Sequence, residues 1–298
     1  MAKRLTIMLI GILVIIGFLV FGVSWHLSSL VLFPKSNCQT EHYVFCNDPS
    51  EIPLKFETVS FVTADGIKLQ GWYIPAPESK KTVVMVHGHG GSKNEGLRFA
   101  KPLHDAGFNL LLYNSRVFAT GDKAYASMGY FEQYDVKAAV DFVLKKKNAN
   151  SIGLFGFSMG AATSILAMEK DNRIRAGVFS SAYANIIDQL LEVGKRDFGI
   201  PEFPIFSIAV ALTNLRGKFD LDQIIPEESI RHISPRPVLI MHCDKDHYVD
   251  FSHAKRLYAA AKQPKYFWAA PCDKHEFLWN ADPRKAETLT TSFFKSHL

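Results

Sequence analysis

Ser151-Ile152-Gly153-Leu154-Phe155-Gly156-Phe157-Ser158-Met159-Gly160, followed by Ala161-Ala162-Thr163-Ser164-Ile165-Leu166-Ala167-Met168, decides the fold. A short apolar run reads as a buried strand, the second run as a helix, and one serine stands at the switch between them. This is the pattern of a nucleophile elbow, in which the turn is so tight that the positions two before and two after the serine need the smallest side chains. Gly156 and Gly160 supply them. Ser158 is then held proud of the sheet edge. The helix behind it presents backbone N–H groups and a positive dipole end to any oxyanion formed there. A G-x-S-x-G string can also be a plain Gly-rich turn; the flanking strand and helix are what single this one out.

A serine in this setting needs a carboxylate and then a histidine further along the chain. Pro237-Val238-Leu239-Ile240-Met241-His242 reads as a buried strand, and Cys243-Asp244-Lys245-Asp246-His247-Tyr248-Val249-Asp250 as the loop at its C-terminal end, where catalytic groups of a parallel sheet gather. Lys265-Tyr266-Phe267-Trp268-Ala269-Ala270 is a further β-rich run, and it is followed by Pro271-Cys272-Asp273-Lys274-His275-Glu276-Phe277. His275 is therefore the candidate general base.

The order and spacing of these motifs resemble the α/β-hydrolase superfamily from about residue 56 to the C-terminus, in particular its single-pass, membrane-anchored bacterial-type esterase and peptidase-like members. The resemblance implies a mostly parallel sheet covered by helices on both faces. Relatives carry His-Gly-x-x-Asp-x-x-Val-Pro in the acid loop, which selects Asp246 and leaves Asp244 as runner-up; Cys243 and Asp250 depart from that pattern. A second motif, Thr82-Val83-Val84-Met85-Val86-His87-Gly88-His89-Gly90-Gly91-Ser92-Lys93, is a strand running into a Gly-rich turn. By resemblance the backbone amides of His89 and Met159 form the oxyanion hole, each donor contributing on the order of 3 kcal/mol to the barrier. In the third motif, Asn114-Ser115-Arg116-Val117-Phe118-Ala119-Thr120-Gly121-Asp122, Arg116 is retained while Asn114 replaces an aspartate and Val117-Phe118-Ala119 replaces glycines, so this loop is bulkier and more apolar. Arg116 reads as a tie between loops in preference to a substrate clamp.

These residues imply acyl transfer without metal or cofactor. No His-x-x-x-His or Cys-x-x-Cys group has zinc spacing. The expected reaction is cleavage of an acyl ester through a Ser158-Asp246-His275 triad and an acyl-enzyme. Peptidase, thioesterase or acyltransferase chemistry on the same triad is the alternative, and a noncatalytic binding protein on the same fold is the contrasting class.

The 298 residues are 48% hydrophobic, enough for one large α/β core, and carry a formal charge of +5 with dispersed cations. Lys145-Lys146-Lys147 closes a helical pattern begun near Tyr134, where cations suit the negative dipole end; no aromatic-interleaved basic stripe points to nucleic acid. Glu57 to Tyr73 reads as a hairpin turning at Asp65-Gly66, and a last helix is expected near Arg284 to Lys295. Residues 183–232, rich in Leu190, Leu191, Phe198, Ile200, Phe203, Phe206, Ile208 and Leu212, are too long for a structureless loop and are expected to form a helical cap, a minority of whose apolar side chains contact the substrate.

The N-terminus is different material. Lys3-Arg4 precedes an apolar stretch from Leu5 to Val23, about 28 Å as a helix and long enough to span a bilayer. Residues 1–33 are expected to be an uncleaved anchor, oriented N-in by the two cations, which places the rest outside the cytoplasm. A cleaved signal ending at Gly22-Val23-Ser24 is the rival, and it too gives an extracytoplasmic protein. Residues 34–55 are a linker and 56–298 the catalytic domain. Four cysteines, Cys38, Cys46, Cys243 and Cys272, suit that compartment; three complete pairings remain open, as does a buried thiol at Cys243.

Overall fold

The computed structural model describes residues 2–36, 38, 40–121 and 124–298; Asp122, which closes the third motif, lies outside them, as do Met1, Asn37, Gln39 and Lys123. A 31-residue helix, α1 (Ala2–Leu32), leads into β1 (Glu57–Val62), β2 (Lys68–Ile74), β3 (Lys81–Val86), α2 (Leu97–Asp105), β4 (Asn109–Asn114), α3 (Glu132–Lys146), β5 (Ser151–Phe157), α4 (Met159–Lys170) and β6 (Ile174–Ser180). The excursion α5 (Ile186–Phe198) and α6 (Ser207–Gly217) follows, then β7 (Val238–Cys243), α7 (Phe251–Ala260), β8 (Lys265–Ala270) and α8 (Pro283–His297).

The eight strands form one sheet in the order β1-β2-β4-β3-β5-β6-β7-β8. β1 and β2 pair antiparallel across a turn in which Gly66 takes φ +90°, and β2 pairs antiparallel with β4; from β4 through β8 every pairing is parallel. Successive strand residues face opposite ways, so each central strand feeds two cores. Val84, Leu111, Leu154 and Ile240 pack with Val136, Val140, Ile165 and Leu257 of α3, α4 and α7. On the other face Val83, Met85, Leu110, Leu112 and Phe155 pack with Leu97, Leu103 and Phe294 of α2 and α8. Their near-continuous apolar character follows from burial on both faces.

Two disulfides form, Cys38–Cys46 and Cys243–Cys272. The second joins the loop after β7 to the loop after β8 and accounts for Cys243 at a position where relatives carry glycine. Residues 42 and 47 of the segment before β1 are tied to α2 and the turn that precedes it: the Asn94 amide donates to Asn47 O at 2.8 Å and Arg98 donates to His42 O at 3.3 Å.

α1 does not end where its apolar run ends. From Lys3 to Leu19 its side chains are exposed, whereas Ser24, Ser28 and Leu32 are fully buried against the excursion. Ser24 Oγ donates to Ile205 O at 3.0 Å, and Arg216 of α6 donates to Ser28 Oγ at 2.8 Å while its guanidinium lies 3.9 Å over the Trp25 ring.

Candidate active site

Ser158 sits at φ +51°, ψ −119°, between β5 and α4. This strained conformation is held by packing that leaves no room for a side chain on either side. A Cβ on Gly160 would lie 2.0 Å from Val86 O, and one on Gly156 would lie 2.4 Å from Gly160 O, both rigid backbone atoms. The Ser158 amide donates to Ser180 O at 2.8 Å, fastening the turn to β6.

His275, on the loop after β8, reaches back across the sheet edge. Its Nε2 lies 2.8 Å from Ser158 Oγ and its Nδ1 lies 2.8 Å from Asp246 Oδ2. Asp246 Oδ1 accepts from the amides of Tyr248 and Val249 at 2.8 and 3.0 Å. Burial by itself raises the Asp246 pKa, but the His275 charge, its hydrogen bond and these amides hold it below the ordinary value. Burial by itself lowers the pKa of His275, and the Asp246 carboxylate more than reverses this, so the imidazole is the stronger base. Asp244 is exposed, and the Asp250 carboxylate caps α7 by accepting from Ser252 N at 2.8 Å. The structure therefore brings Asp246, and not Asp244, to the histidine.

Among the described residues, no acceptor meets the backbone N–H of His89 or Met159, the two amides assigned to an oxyanion. The His89 ring Nε2 donates to Val31 O, a terminal carbonyl of α1, at 2.8 Å. His87 accepts from Ser115 N at 3.0 Å, and burial drives its pKa down to about 4, so it stays neutral. Arg116 is buried between Asp135, at 2.8 Å, and Asp65, at 2.9 Å, and ties the third motif to the hairpin and α3.

Two buried carboxylates beneath the site escaped the sequence reading. Glu276, beside His275 and itself at φ +56°, accepts from Ser158 N at 3.2 Å and Ser180 Oγ at 3.0 Å. Glu95 accepts from Gly88 N at 2.7 Å, one residue before His89. Arg98 donates to Glu276 O at 2.9 Å and stands 3.9 Å from its carboxylate. Burial and then the charge of Glu276 push the Glu95 pKa up to about 7. The available signal was position alone, each acid lying next to a site loop.

An apolar cavity of 230 Å³ adjoins the site. Its walls include His89, Tyr248 and, from the excursion, Leu190, Phe198, Ile200 and Phe206. The Tyr248 ring lies 5.1 Å from that of His275. Neither this cavity nor a larger cleft of 530 Å³ along α3 and α4 has Ser158, Asp246 or His275 in its lining; the smaller one is tied to the site through His89 and Tyr248. Among the described residues, no cluster of His, Cys, Asp and Glu is arranged to hold a metal ion.

Residues 81–199 match the family model for the alpha/beta hydrolase fold. The chain has the α/β-hydrolase fold. Solved structures agree: Pyrococcus furiosus esterase Pf2001 superposes with TM-score 0.70 at 21% identity over 88% of this chain and 97% of that one. Pyrococcus horikoshii acylaminoacyl peptidase superposes with TM-score 0.60 at 17% identity, covering 82% of this chain and 42% of that one. In sequence, the chain is 26% identical to the uncharacterized protein YqkD of Bacillus subtilis over 74% of both chains. It is 25% identical to lysophosphatidylserine lipase ABHD12 of Macaca fascicularis over 67% of this chain and 50% of that one. One helix, Lys3–Leu32, is long and apolar enough to cross a membrane.

Proposed function

We propose that the protein is a membrane-anchored serine esterase, with residues 56–298 as the catalytic domain and 183–232 as its cap. The observation that carries this reading is the continuous chain of 2.8 Å contacts from Ser158 through His275 to Asp246, built on three separate loops. His275 takes the Ser158 proton as Oγ attacks the ester carbonyl. The backbone amides of His89 and Met159 stabilise the oxyanion, and the alcohol leaves with the proton that His275 returns. Water, deprotonated by the same histidine, then releases the acid and restores Ser158. Asp246 keeps the Nδ1–H tautomer and stabilises the imidazolium.

A mostly apolar wall beside the site, with Leu190, Val193, Phe198, Ile200 and Phe206 in its lining, favours an apolar acyl group as the part of the substrate held there. The names esterase and lipase occur among the similar proteins, beside one acylaminoacyl peptidase. Lys3 and Arg4 favour N-in insertion, which sets the catalytic domain on the extracytoplasmic side. The test is Ser158→Ala in the full chain: fluorophosphonate labelling should vanish and turnover should fall by up to ~10⁶. Retention of more than a few per cent of activity would remove Ser158 from the role of nucleophile.

A further inference from the structure

The anchor helix enters the site. At about 1.5 Å per residue, 31 residues reach about 46 Å, against a hydrocarbon core of about 30 Å. Upright in the bilayer, some ten residues therefore stand outside the hydrocarbon core, and the burial pattern says which at the C-terminal end, because contact with the rest of the chain is established at Ser24. Beyond that point α1 is a piece of the catalytic unit. Its Leu27, Leu30 and Val31 complete the wall of the 230 Å³ cavity that Phe206, Tyr248 and His89 share. Its terminal carbonyls, which a helix leaves without partners, are taken by that unit: Val31 O by the His89 ring at 2.8 Å and Leu32 O by Ala126 N at 2.8 Å. The residue whose amide faces the reacting oxygen is thus fastened by its side chain to the membrane helix.

Exposed apolar side chains stand near the exit of α1, among charged ones such as Lys195 and Glu202. Phe203 is 79% exposed, Leu215 74% and Phe198 54%, on segments that touch α1 or line the cavity. With residues 3–23 in the bilayer, about 32 Å of helix, Trp25 falls at the interface, where its ring is favoured, and these side chains meet the lipid surface instead of water.

We propose that α1 is a wall of the acyl-binding site and that the substrate is an ester whose acyl chain resides in the bilayer, delivered along α1 to Ser158 without passing through water. The proposal rests on the serine-esterase reading above and names its substrate class. A chain leaving the bilayer beside Trp25 meets the apolar cavity first, and the cavity's lining includes His89 and Tyr248, whose ring lies 5.1 Å from that of His275.

The test uses the full chain in proteoliposomes, with 4-methylumbelliferyl oleate dissolved in the bilayer and 4-methylumbelliferyl acetate in the buffer. Leu27→Trp, which fills the cavity from the helix side, should lower the oleate-to-acetate ratio of kcat/KM at least tenfold; an unchanged ratio overturns the proposal. A second arm needs no variant. The unmodified enzyme should hydrolyse oleate ester placed in its own vesicles at least tenfold faster than the same ester in separate protein-free vesicles, and equal initial rates overturn the proposal. Fluorophosphonate labelling of Ser158 and turnover of the acetate ester are read in parallel. If both persist while the two arms fail, the esterase reading stands and the membrane route falls; if both are absent, the esterase reading itself has failed.

Discussion

Glu276→Ala removes the carboxylate that ties the histidine loop to the nucleophile turn. Three contacts go with it: Ser158 N at 3.2 Å, Ser180 Oγ at 3.0 Å and Arg98 Nη2 at 3.9 Å. Hydrogen bonds to charged groups contribute about 1.5–3 kcal/mol, and severing a buried ion pair costs about 3–5 kcal/mol. Two features pull the sum down. The Ser158 amide keeps its bond to Ser180 O at 2.8 Å, and Arg98 keeps Glu276 O at 2.9 Å and Asn280 Oδ1 at 3.3 Å. A loss of about 3 kcal/mol is expected, lowering Tm by about 6 °C or more for a chain of this size. Glu276→Gln keeps the shape and one acceptor, so about 1 kcal/mol is expected. Because the Ala variant frees the loop that positions His275, its kcat should also fall, by up to about 10² for a displacement near 1 Å. Thermal unfolding of the full chain in detergent, followed by tryptophan fluorescence, and ester turnover on the same sample check both numbers. An Ala variant melting within about 2 °C of the parent, with the parent's kcat, would refute the clamp.

Asp246→Asn should lower turnover by about 10⁴ through the wrong histidine tautomer and shift the residual pH–rate profile to lower pH, since the charge that raises the His275 pKa is gone; Asp244→Asn should change neither, and the opposite ranking would reassign the acid. Glu95 faces Glu276, Arg98 and Tyr43, and its pKa of about 7 lies above the ordinary 4.5, so the folded chain keeps a proton that the unfolded chain releases. Its contribution to stability is therefore present below about pH 4.5 and lost as pH rises through about 7; Glu95→Gln should flatten the fall of Tm across that window, and an unaltered slope would count against this assignment. A reporter fused after Leu298 should be active only as an extracytoplasmic reporter; a signal from a cytoplasmic reporter at that position would reverse the orientation read from Lys3 and Arg4.

What could be read from the sequence was whatever a local steric or periodic rule decides. The elbow is legible because backbone contacts at Gly156 and Gly160 exclude every larger residue, which writes the turn into the letters. The hairpin is legible because Asp65-Gly66 supplies a positive φ. Asp246 was chosen by resemblance across two mismatches, and the structure gives each mismatch a local reason: Cys243 is bridged to Cys272 and Asp250 caps α7. Glu95 and Glu276 were not legible, since a carboxylate in a loop looks solvated until the partner that buries it is known. Arg98, which stands between them, belongs to a helix whose pattern gives it no special mark.

The end of α1 was hidden for a different reason. A uniformly apolar helix carries no contrast between the face that meets lipid and the face that meets protein, so hydropathy assigns all of it to the membrane. The contrast that exists is in side-chain size and polarity: Ser24 and Ser28, one helical turn apart, lie on the face that packs and give their hydroxyls to the cap's hydrogen bonds. The nine residues from Ser24 to Leu32 are too few to hold a helix in water by themselves, where about 12–15 residues are already marginal. Their order comes from the preceding length of α1 on one side and from packing on α6 on the other. A break between the two halves would therefore weaken the cavity wall and the Val31–His89 contact together, and this makes residues 24–32 a structural part of the folded domain.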